Sequence, residues 1–282
     1  LKQNQHKKAL ERLQGVAEVA PENYEVQDVL AHAAGLIGDL SLARSYGGNS
    51  LRLKHQLVTY NRAPLGLNDV PLPFDRRNRD GNIISFSRWG TDARYLDGAI
   101  QNAKLSRDIY PAWRCRFYVD ESVPMTVIKK LRGLDAQIVE MPTSKHAFDG
   151  LFWRFLVADD PNVMRFIVRD CDALVNIREC AAVDLWCESD ACFHVMRDFY
   201  THTELILAGM WGGVTHVLPS MAELIEAFKA RLQLRTRIMD QIFLREEIWP
   251  LIHPHILVHD SQFQLGDYES FPEFATLPPN RH

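Results

Sequence analysis

The pattern of apolar and polar residues divides the chain into a helical N-terminal part and a longer part in which strand and helix patterns alternate. Before residue 58, apolar residues at helical spacing occupy two stretches that are separated by Pro21. From residue 82 onward, repeated strand–helix units predict a mostly parallel sheet covered by helices, which is the α/β class. The predicted strands lie at 83–86, 114–120, 137–140, 165–168 and 256–258, and the helices between them at 95–109, 125–132, 149–157 and 220–234.

In the N-terminal part, residues 1–58, Pro21 follows the first apolar stretch, and Leu30, Ala31 and Ala43 provide small or apolar positions after it. These residues resemble a tetratricopeptide repeat, in which Pro21 takes the place of the closing proline of one unit and the other three fall near the small or apolar positions. Only about one and a half repeats are present, and we expect Gly47-Gly48 to interrupt the second helix. A plain helical pair packed on the main domain explains the pattern equally well. We expect these helices to be non-catalytic and to offer a surface for protein contacts.

Residues 59–81 are rich in proline, glycine, arginine and aspartate, a composition typical of a linker. The division that follows is a helical segment at 1–58, a linker at 59–81 and an α/β domain at 82–282.

Composition narrows the class of protein. The 36 acidic and 32 basic residues give a formal charge of -4, which argues against a nucleic-acid-binding surface. No run approaches the roughly 20 apolar residues of a membrane span. The first eight residues are polar, so we expect no signal peptide, and the start at Leu1 suggests a piece of a longer polypeptide. Five cysteines, an odd number, favour a reducing compartment, and we expect a cytoplasmic location.

The candidate chemistry begins at Asp170 and Asp172, which follow the predicted strand Arg165–Val168. Alternate residues of an extended chain share a face, so the two carboxylates can converge where the strand leaves the core. Such a pair suits a hard divalent cation that also holds phosphate oxygens. An acidic turn after a strand is the alternative, and a D-x-D sequence alone does not decide between them.

Other polar or glycine-rich segments also adjoin predicted strands or precede the aspartates. They are Ser87-Arg88, which follows the first strand, Asp120 after the second, Arg154 just before the aspartate strand, the Gly209–Gly213 segment with Trp211 at its centre, and His259 after the last strand. Ligands of open α/β sheets bind at the carboxyl ends of strands. An indole between glycines suggests a flat platform that a ligand can approach closely.

Five motifs stand in order along the chain: Arg169-Asp170-Cys171-Asp172, Met196-Arg197-Asp198, Ala208-Gly209-Met210-Trp211-Gly212, Asp240-Gln241-Ile242-Phe243-Leu244 and His259-Asp260-Ser261. In order and spacing they resemble the motifs of glycosyltransferases of the GT-A fold, a Rossmann-like fold that binds nucleotide sugars. The resemblance covers about residues 82–265. The chain departs from it at Ala208, where glycine is expected, at Cys171, where serine or alanine is more usual, and at Phe199-Tyr200, where His-Pro is common.

The resemblance implies a metal-dependent hexosyltransferase of glycan or polysaccharide synthesis. It would use a nucleoside diphosphate sugar donor and a glycan or other hydroxyl acceptor. The implied metal ligands are Asp170, Asp172 and His259, and the imidazole tilts the choice from Mg²⁺ toward Mn²⁺. The implied substrate-binding residues are Ser87, Arg88, Asp120, Arg154, Gly209, Trp211 and Gly212, and the implied catalytic residues are Asp198, Asp240 and Gln241.

Two alternatives stay open on the sequence. Two aspartates and a histidine also suit a metal-dependent phosphohydrolase of nucleotide sugars. The chain could also be a non-catalytic helical-repeat binding module fused to a degenerate transferase fold, and the intact set of Asp170, Asp172 and His259 speaks against this.

Overall fold

The computed structural model describes residues 2–60, 62–67, 71–143, 146, 148–232, 236–264 and 266–272. Three helices open the chain: α1 (Lys2–Val19), α2 (Tyr24–Leu36) and α3 (Leu40–Thr59). The turn before α3 contains Gly38 at φ 85°, and the side chain of Asp39 caps the helix by accepting from Leu42 N at 2.9 Å.

The expected interruption at Gly47-Gly48 is wrong, because α3 runs straight through both glycines. A β-carbon at Gly47 would collide with the ring of Phe263, so close packing explains the glycine at this position.

A seven-stranded sheet forms the centre of the α/β part, in the order β3-β2-β1-β4-β6-β5-β7. The pairs β1–β2, β1–β4, β2–β3 and β5–β7 are parallel, whereas β6 runs antiparallel to β4 and β5. The predicted α/β class with a mostly parallel sheet is therefore confirmed. The strands are β1 (Asn82–Arg88), β2 (Arg114–Val119), β3 (Gln137–Glu140), β4 (Arg165–Val168), β5 (Phe193–Arg197), β6 (Trp211–Val214) and β7 (Ile256–Asp260).

Helices cover both faces of the sheet, which explains why its strands are apolar on both sides. One face packs against α4 (Ala93–Ile109), α5 (Met125–Gly133) and α6 (Ile177–Cys187), and we call it the α6 face. The other, the α8 face, packs against a 3-10 helix (Asp149–Asp159), α7 (Met221–Arg231), α8 (Met239–Phe243), a π-helical turn (Leu244–Ile248) and α9 (Trp249–Ile252). A short 3-10 turn, His253–His255, leads into β7.

Two predicted elements differ in kind. The segment expected as a helix over 149–157 is the 3-10 helix Asp149–Asp159. The Gly209–Gly213 segment, expected as a platform that a ligand can approach closely, continues into the buried strand β6. The helix expected to reach residue 234 ends at Arg231, and residues 233–235 lie outside the described part of the chain.

The predicted linker lies along the α/β part where it is described. Leu65 N donates to Leu251 O at 2.9 Å, and Arg62 forms an ion pair with Glu247 at 2.8 Å. Among the described helices, none has the length and apolar character needed to cross a membrane.

Candidate active site

The candidate site is built around Arg154, whose backbone is fixed by two serines of β1. Arg154 N donates to Ser87 Oγ at 2.8 Å, and Ser85 Oγ donates to Arg154 O at 2.6 Å. Ser85 and Ser87 are two residues apart on a strand and so share a face, which lets both reach one peptide segment of the 3-10 helix. Ser87 is among the predicted site residues and Ser85 is not, although alternate residues of a strand share a face and Ser85 could have been found from this.

The side chain of Arg154 lies between two carboxylates. Its Nη1 group contacts Asp170 Oδ1, and its Nη2 donates to Asp240 Oδ2 at 2.8 Å. Burial opposes the charge of this guanidinium, but Asp170 and Asp240 outweigh burial and raise the pKa of Arg154. Burial also raises the pKa of Asp240, and Arg154 offsets only part of that effect. Arg154 is thus a fixed buried cation that orients Asp170.

Asp170 remains open to solvent on its other side, with 44% of its side chain exposed. Asp172, two residues on, has 25% of its side chain exposed and pairs with Arg94 at the start of α4, Nη2 to Oδ2 at 3.0 Å. The first of the two carboxylates is therefore held by a buried arginine and the second by an exposed one. Arg94 is not among the predicted site residues. It could have been found from its position in the first turn of the helix that follows β1, near the carboxyl end of that strand.

Arg88 leaves β1 on the side opposite Ser87. Its Nη2 donates to Asp92 O at 3.0 Å, and its guanidinium lies 5.9 Å from the ring centre of Tyr95. Arg94 lies 5.7 Å from the same ring, so Tyr95 is flanked by two cations at the rim of the site. Burial lowers the pKa of Arg88.

Asp120 directly follows β2 and organises the turn after that strand. Its Oδ1 accepts from Ser122 N at 3.1 Å and also from Ser122 Oγ. Ser122 Oγ in turn accepts from Gly90 N at 2.6 Å, which connects the ends of β1 and β2.

Gly209 lies directly against Asp170. A β-carbon at this position would collide with Asp170 Oδ2, so only glycine leaves the carboxylate in its observed position. Gly212 serves packing within the sheet, because a β-carbon there would meet the backbone of Phe166 and the side chain of Ile167.

Trp211 lies in the core and not on an open surface. It has no exposed area and meets Phe155 and Phe166 edge to face, with ring centres 5.7 and 5.2 Å away. A ring without an exposed face cannot stack on a sugar in this conformation. Its indole Nε1 has no hydrogen-bond partner among the residues that the structure describes.

Asp198 follows β5 and lies between the side chains of an arginine and a histidine. Arg178 Nη1 approaches it at 2.8 Å and His202 Nδ1 at 3.1 Å. Burial alone would raise the pKa of Asp198, but His202 and Arg178 outweigh it and lower that pKa. Gln241, beside Asp240, is half-buried, and its backbone N donates to Asp240 Oδ1 at 2.9 Å.

The structure does not bring His259 together with Asp170 and Asp172. Its strand β7 is separated from β4 by β6 and β5, which at about 4.8 Å per strand places the two strands about 14 Å apart. His259 also points to the α6 face, where its Nδ1 lies 2.8 Å from His194 Nε2 and its ring lies 5.6 Å from that of Phe271. Asp260, the next residue, points to the α8 face and pairs with Arg197 at 3.6 Å.

Burial, with a smaller effect from Arg178, lowers the pKa of His259 to about 4. Burial, His259 and Arg169 lower the pKa of His194 as well. Two neutral imidazoles therefore share one N–H···N hydrogen bond. Within the described residues, no group of three or more His, Cys, Asp and Glu side chains is arranged to hold a metal ion.

No protein-family model and no curated protein matches this chain. Among solved structures, the chain is similar to a mannosyltransferase, PcManGT from Pyrobaculum calidifontis, in complex with GDP-Man and Mn²⁺. The two are 10% identical, the match covers 84% of this chain and 70% of that chain, and the TM-score is 0.43.

Proposed function

We propose that this chain is a metal-dependent glycosyltransferase of the GT-A type that transfers a hexose from a nucleoside diphosphate sugar to a hydroxyl acceptor in glycan or polysaccharide synthesis. The observation that carries the proposal is the arrangement at the carboxyl ends of β1 and β4. There Asp170 and Asp172 face solvent, and a buried cation, Arg154, orients the first of them. The two strands are neighbours, whereas the strands that follow them lie on opposite sides, and this is the switch point where open α/β sheets bind ligands.

The two aspartates fit a divalent ion by their chemistry and exposure. Mg²⁺ and similar hard cations commonly take one or two protein carboxylates and fill their remaining positions with water and substrate phosphates. Asp170 and Asp172 therefore suffice as protein ligands when a diphosphate supplies the others. The role of His259 as a third ligand stays a prediction without support from this arrangement. Without an imidazole ligand, the chemistry of the two carboxylates does not favour Mn²⁺ over Mg²⁺. When bound, the ion would stabilise the negative charge on the departing diphosphate.

The chain's own cations divide into two groups in this proposal. Both terminal nitrogens of Arg154 are engaged by Asp170 and Asp240, so Arg154 positions a carboxylate and is not free to meet phosphate. Arg94 is 70% exposed and lies beside Asp172, so it can turn toward a phosphate once a cation replaces it there. Arg88 and Asp120 lie at the carboxyl ends of β1 and β2, on the same edge of the sheet, and would face the nucleoside end of the donor.

In the proposed transfer, the acceptor oxygen bonds to the anomeric carbon, the bond from that carbon to the diphosphate breaks, and a base takes the hydroxyl proton. Asp198 and Asp240 are the candidate carboxylates. The lowered pKa of Asp198 keeps it ionised and able to accept a hydrogen bond from a hydroxyl. Asp240 is buried against Arg154 and would act through the position of Asp170 and of Gln241.

The experiment is a thermal-shift panel of UDP-, GDP-, ADP- and dTDP-linked sugars, each with Mn²⁺, with Mg²⁺ and with EDTA. A ligand present at a hundred times its Kd stabilises the folded state by about 2.7 kcal/mol, which such a scan detects. Transfer and hydrolysis are then measured with the best donor, with and without glycan acceptors.

Asp172→Asn should remove cation-dependent donor binding without unfolding the chain, because Asp172 is a rim residue. Asp108→Asn, at the exposed far end of α4, is the matched control. Donor binding that persists fully in EDTA would overturn the metal role. Hydrolysis that proceeds equally fast without acceptor would favour the phosphohydrolase, and no binding of any donor would favour the non-catalytic module.

A further inference from the structure

Lys54 of α3 is a fully buried lysine whose partners belong to two different parts of the chain. Its ammonium donates to Asp28 Oδ2 at 2.8 Å within the N-terminal helices. It also donates to Thr203 O and to Glu204 Oε1, both at 2.9 Å, in the segment that joins β5 to β6. We call residues 198–210 the β5–β6 loop. A buried ammonium with three acceptors is a fixed junction, because the charge has left water and depends on these partners to offset its desolvation.

Arg197, the last residue of β5, binds the same part of the loop. Arg197 Nε donates to Glu204 O at 3.0 Å, and its Nη2 donates to Leu205 O at 2.5 Å. Arg245 adds a third cation, 3.4 Å from Glu204 Oε1. The loop is therefore held from two sides, by Arg197 of the sheet and by Lys54 of the N-terminal helices.

A second contact connects the helices to the start of the loop. The ring of Tyr200 fills the space that a β-carbon of Gly35 would occupy, and Tyr200 packs against the apolar cluster of the N-terminal helices. Phe199-Tyr200 is also one of the positions at which the chain departs from the glycosyltransferase motif.

The clamped loop continues directly into the candidate site. Only four residues separate Glu204 from Gly209, which lies against Asp170 Oδ2, and the other end of the loop carries Asp198. Any slackening of the segment between them would let Gly209 move away from the carboxylate and would change the acceptor side.

We propose that Lys54 is a positioning residue of the transferase, so that the N-terminal helices form part of the wall of its active site through the β5–β6 loop. This inference rests on the proposed function for its kinetic consequence, but the placement of the loop by Lys54 is independent of what the enzyme transfers. The helices accordingly carry a structural role in the site and are more than an appended repeat.

The experiment compares the full chain with two variants, Lys54→Met and Leu10→Ala. Leu10 is 5% exposed in the N-terminal helical core, the cluster against which Tyr200 packs. It makes none of the hydrogen bonds or ion pairs that hold Thr203 and Glu204, so its variant reports general loss of stability in the same helices. Hydrogen–deuterium exchange is followed for amides 198–211. Affinity for nucleoside diphosphate with Mn²⁺ is measured by calorimetry, and acceptor-dependent kcat and KM are measured with the donor found above.

For Lys54→Met we expect at least tenfold faster exchange at 203–211 and at least a tenfold loss of acceptor kcat/KM. Nucleoside diphosphate affinity should stay within about threefold, because Arg154 still orients Asp170. The described polar and cation–π partners of Lys54, which are Tyr24, Asp28, Thr203 and Glu204, all lie outside β1, β2 and α4. Leu10→Ala, at an equal or larger drop in Tm, should leave exchange at 203–211 unchanged.

Unchanged exchange in Lys54→Met would overturn the inference, as would an equal kinetic loss in Leu10→Ala. If Lys54→Met does not fold, Lys54→Arg and Asp28→Asn replace it; Asp28→Asn keeps the two loop contacts and should preserve loop protection. A wild-type protein that turns over no nucleotide sugar would refute the proposed function, whereas the exchange result would still decide the role of Lys54.

Discussion

Arg94 forms an ion pair with Asp172, with Nη2 3.0 Å from Oδ2, and so occupies one of the two carboxylates proposed to hold a divalent ion. Because Arg94 is 70% exposed, this pair is weak; exposed ion pairs contribute about 0–1 kcal/mol. An exposed arginine can yield to a cation of higher charge at little cost, whereas the buried Arg154 beside Asp170 cannot.

Replacement of Arg94 should therefore strengthen binding of the bare cation slightly. For Arg94→Ala we expect Mn²⁺ affinity in the absence of nucleotide to rise by up to about fivefold, the equivalent of 1 kcal/mol. Calorimetric titration of wild type, Arg94→Ala and Arg107→Ala checks this, with Arg107 as an exposed arginine at the other end of α4. Weaker Mn²⁺ binding in Arg94→Ala alone would mean that Arg94 places Asp172 and does not compete for it.

Gly209→Ala should displace the carboxylate of Asp170, since the added methyl would occupy the position of Oδ2. We expect a folded protein with at least tenfold weaker cation binding in the same titration. Gly15→Ala is the control: a β-carbon there meets no atom within 4 Å, and alanine in a helix interior gains up to about 1 kcal/mol over glycine. A folded Gly209→Ala protein with wild-type cation affinity would show that Asp170 is not a ligand in the observed position.

Trp211→Ala tests the core position against a sugar-stacking role. Removal of a fully buried aromatic side chain costs about 3–5 kcal/mol of unfolding free energy, which urea denaturation measures. Below its transition, the variant should bind nucleoside diphosphate with nearly unchanged affinity, because Trp211 packs against Phe155 and Phe166. Unchanged stability together with lost discrimination between donor sugars would instead favour the platform.

The His194–His259 pair should make the protein less stable in mild acid. Both imidazoles have folded-state pKa values below the ordinary value of about 6.5, so the unfolded chain binds more protons as the pH falls. Their contribution is fully present above pH 6.5 and is lost progressively toward about pH 4, where His259 titrates in the folded state. Each such group adds a slope of up to about 1.4 kcal/mol per pH unit.

His259→Gln should reduce that slope, measured as urea unfolding free energy between pH 6.5 and 4.5 in the presence of EDTA. His216→Asn is the control, because His216 is exposed and its backbone at φ 67° is one that asparagine tolerates. An identical slope in wild type and His259→Gln would mean that the pair does not stay buried and neutral in solution.

The sequence by itself determined the local elements and the position of the two aspartates. Strand and helix patterns depend on neighbours a few residues away, so β1, β2 and β4 and the placement of Asp170 and Asp172 after β4 were predictable from periodicity. The α/β class followed from the alternation of these elements.

Tertiary structure decided which of the singled-out residues meet. Strand order is a long-range property, and it placed β7 three strands away from β4, while the alternation of side chains turned His259 to the α6 face and Asp260 to the α8 face. The same long-range packing buried Trp211 and paired Arg154 with Asp240, which are 86 residues apart. It also brought Lys54 to Glu204 across 150 residues. No local pattern contains this contact, because the two opposite charges compensate each other's desolvation only after the two segments have packed together.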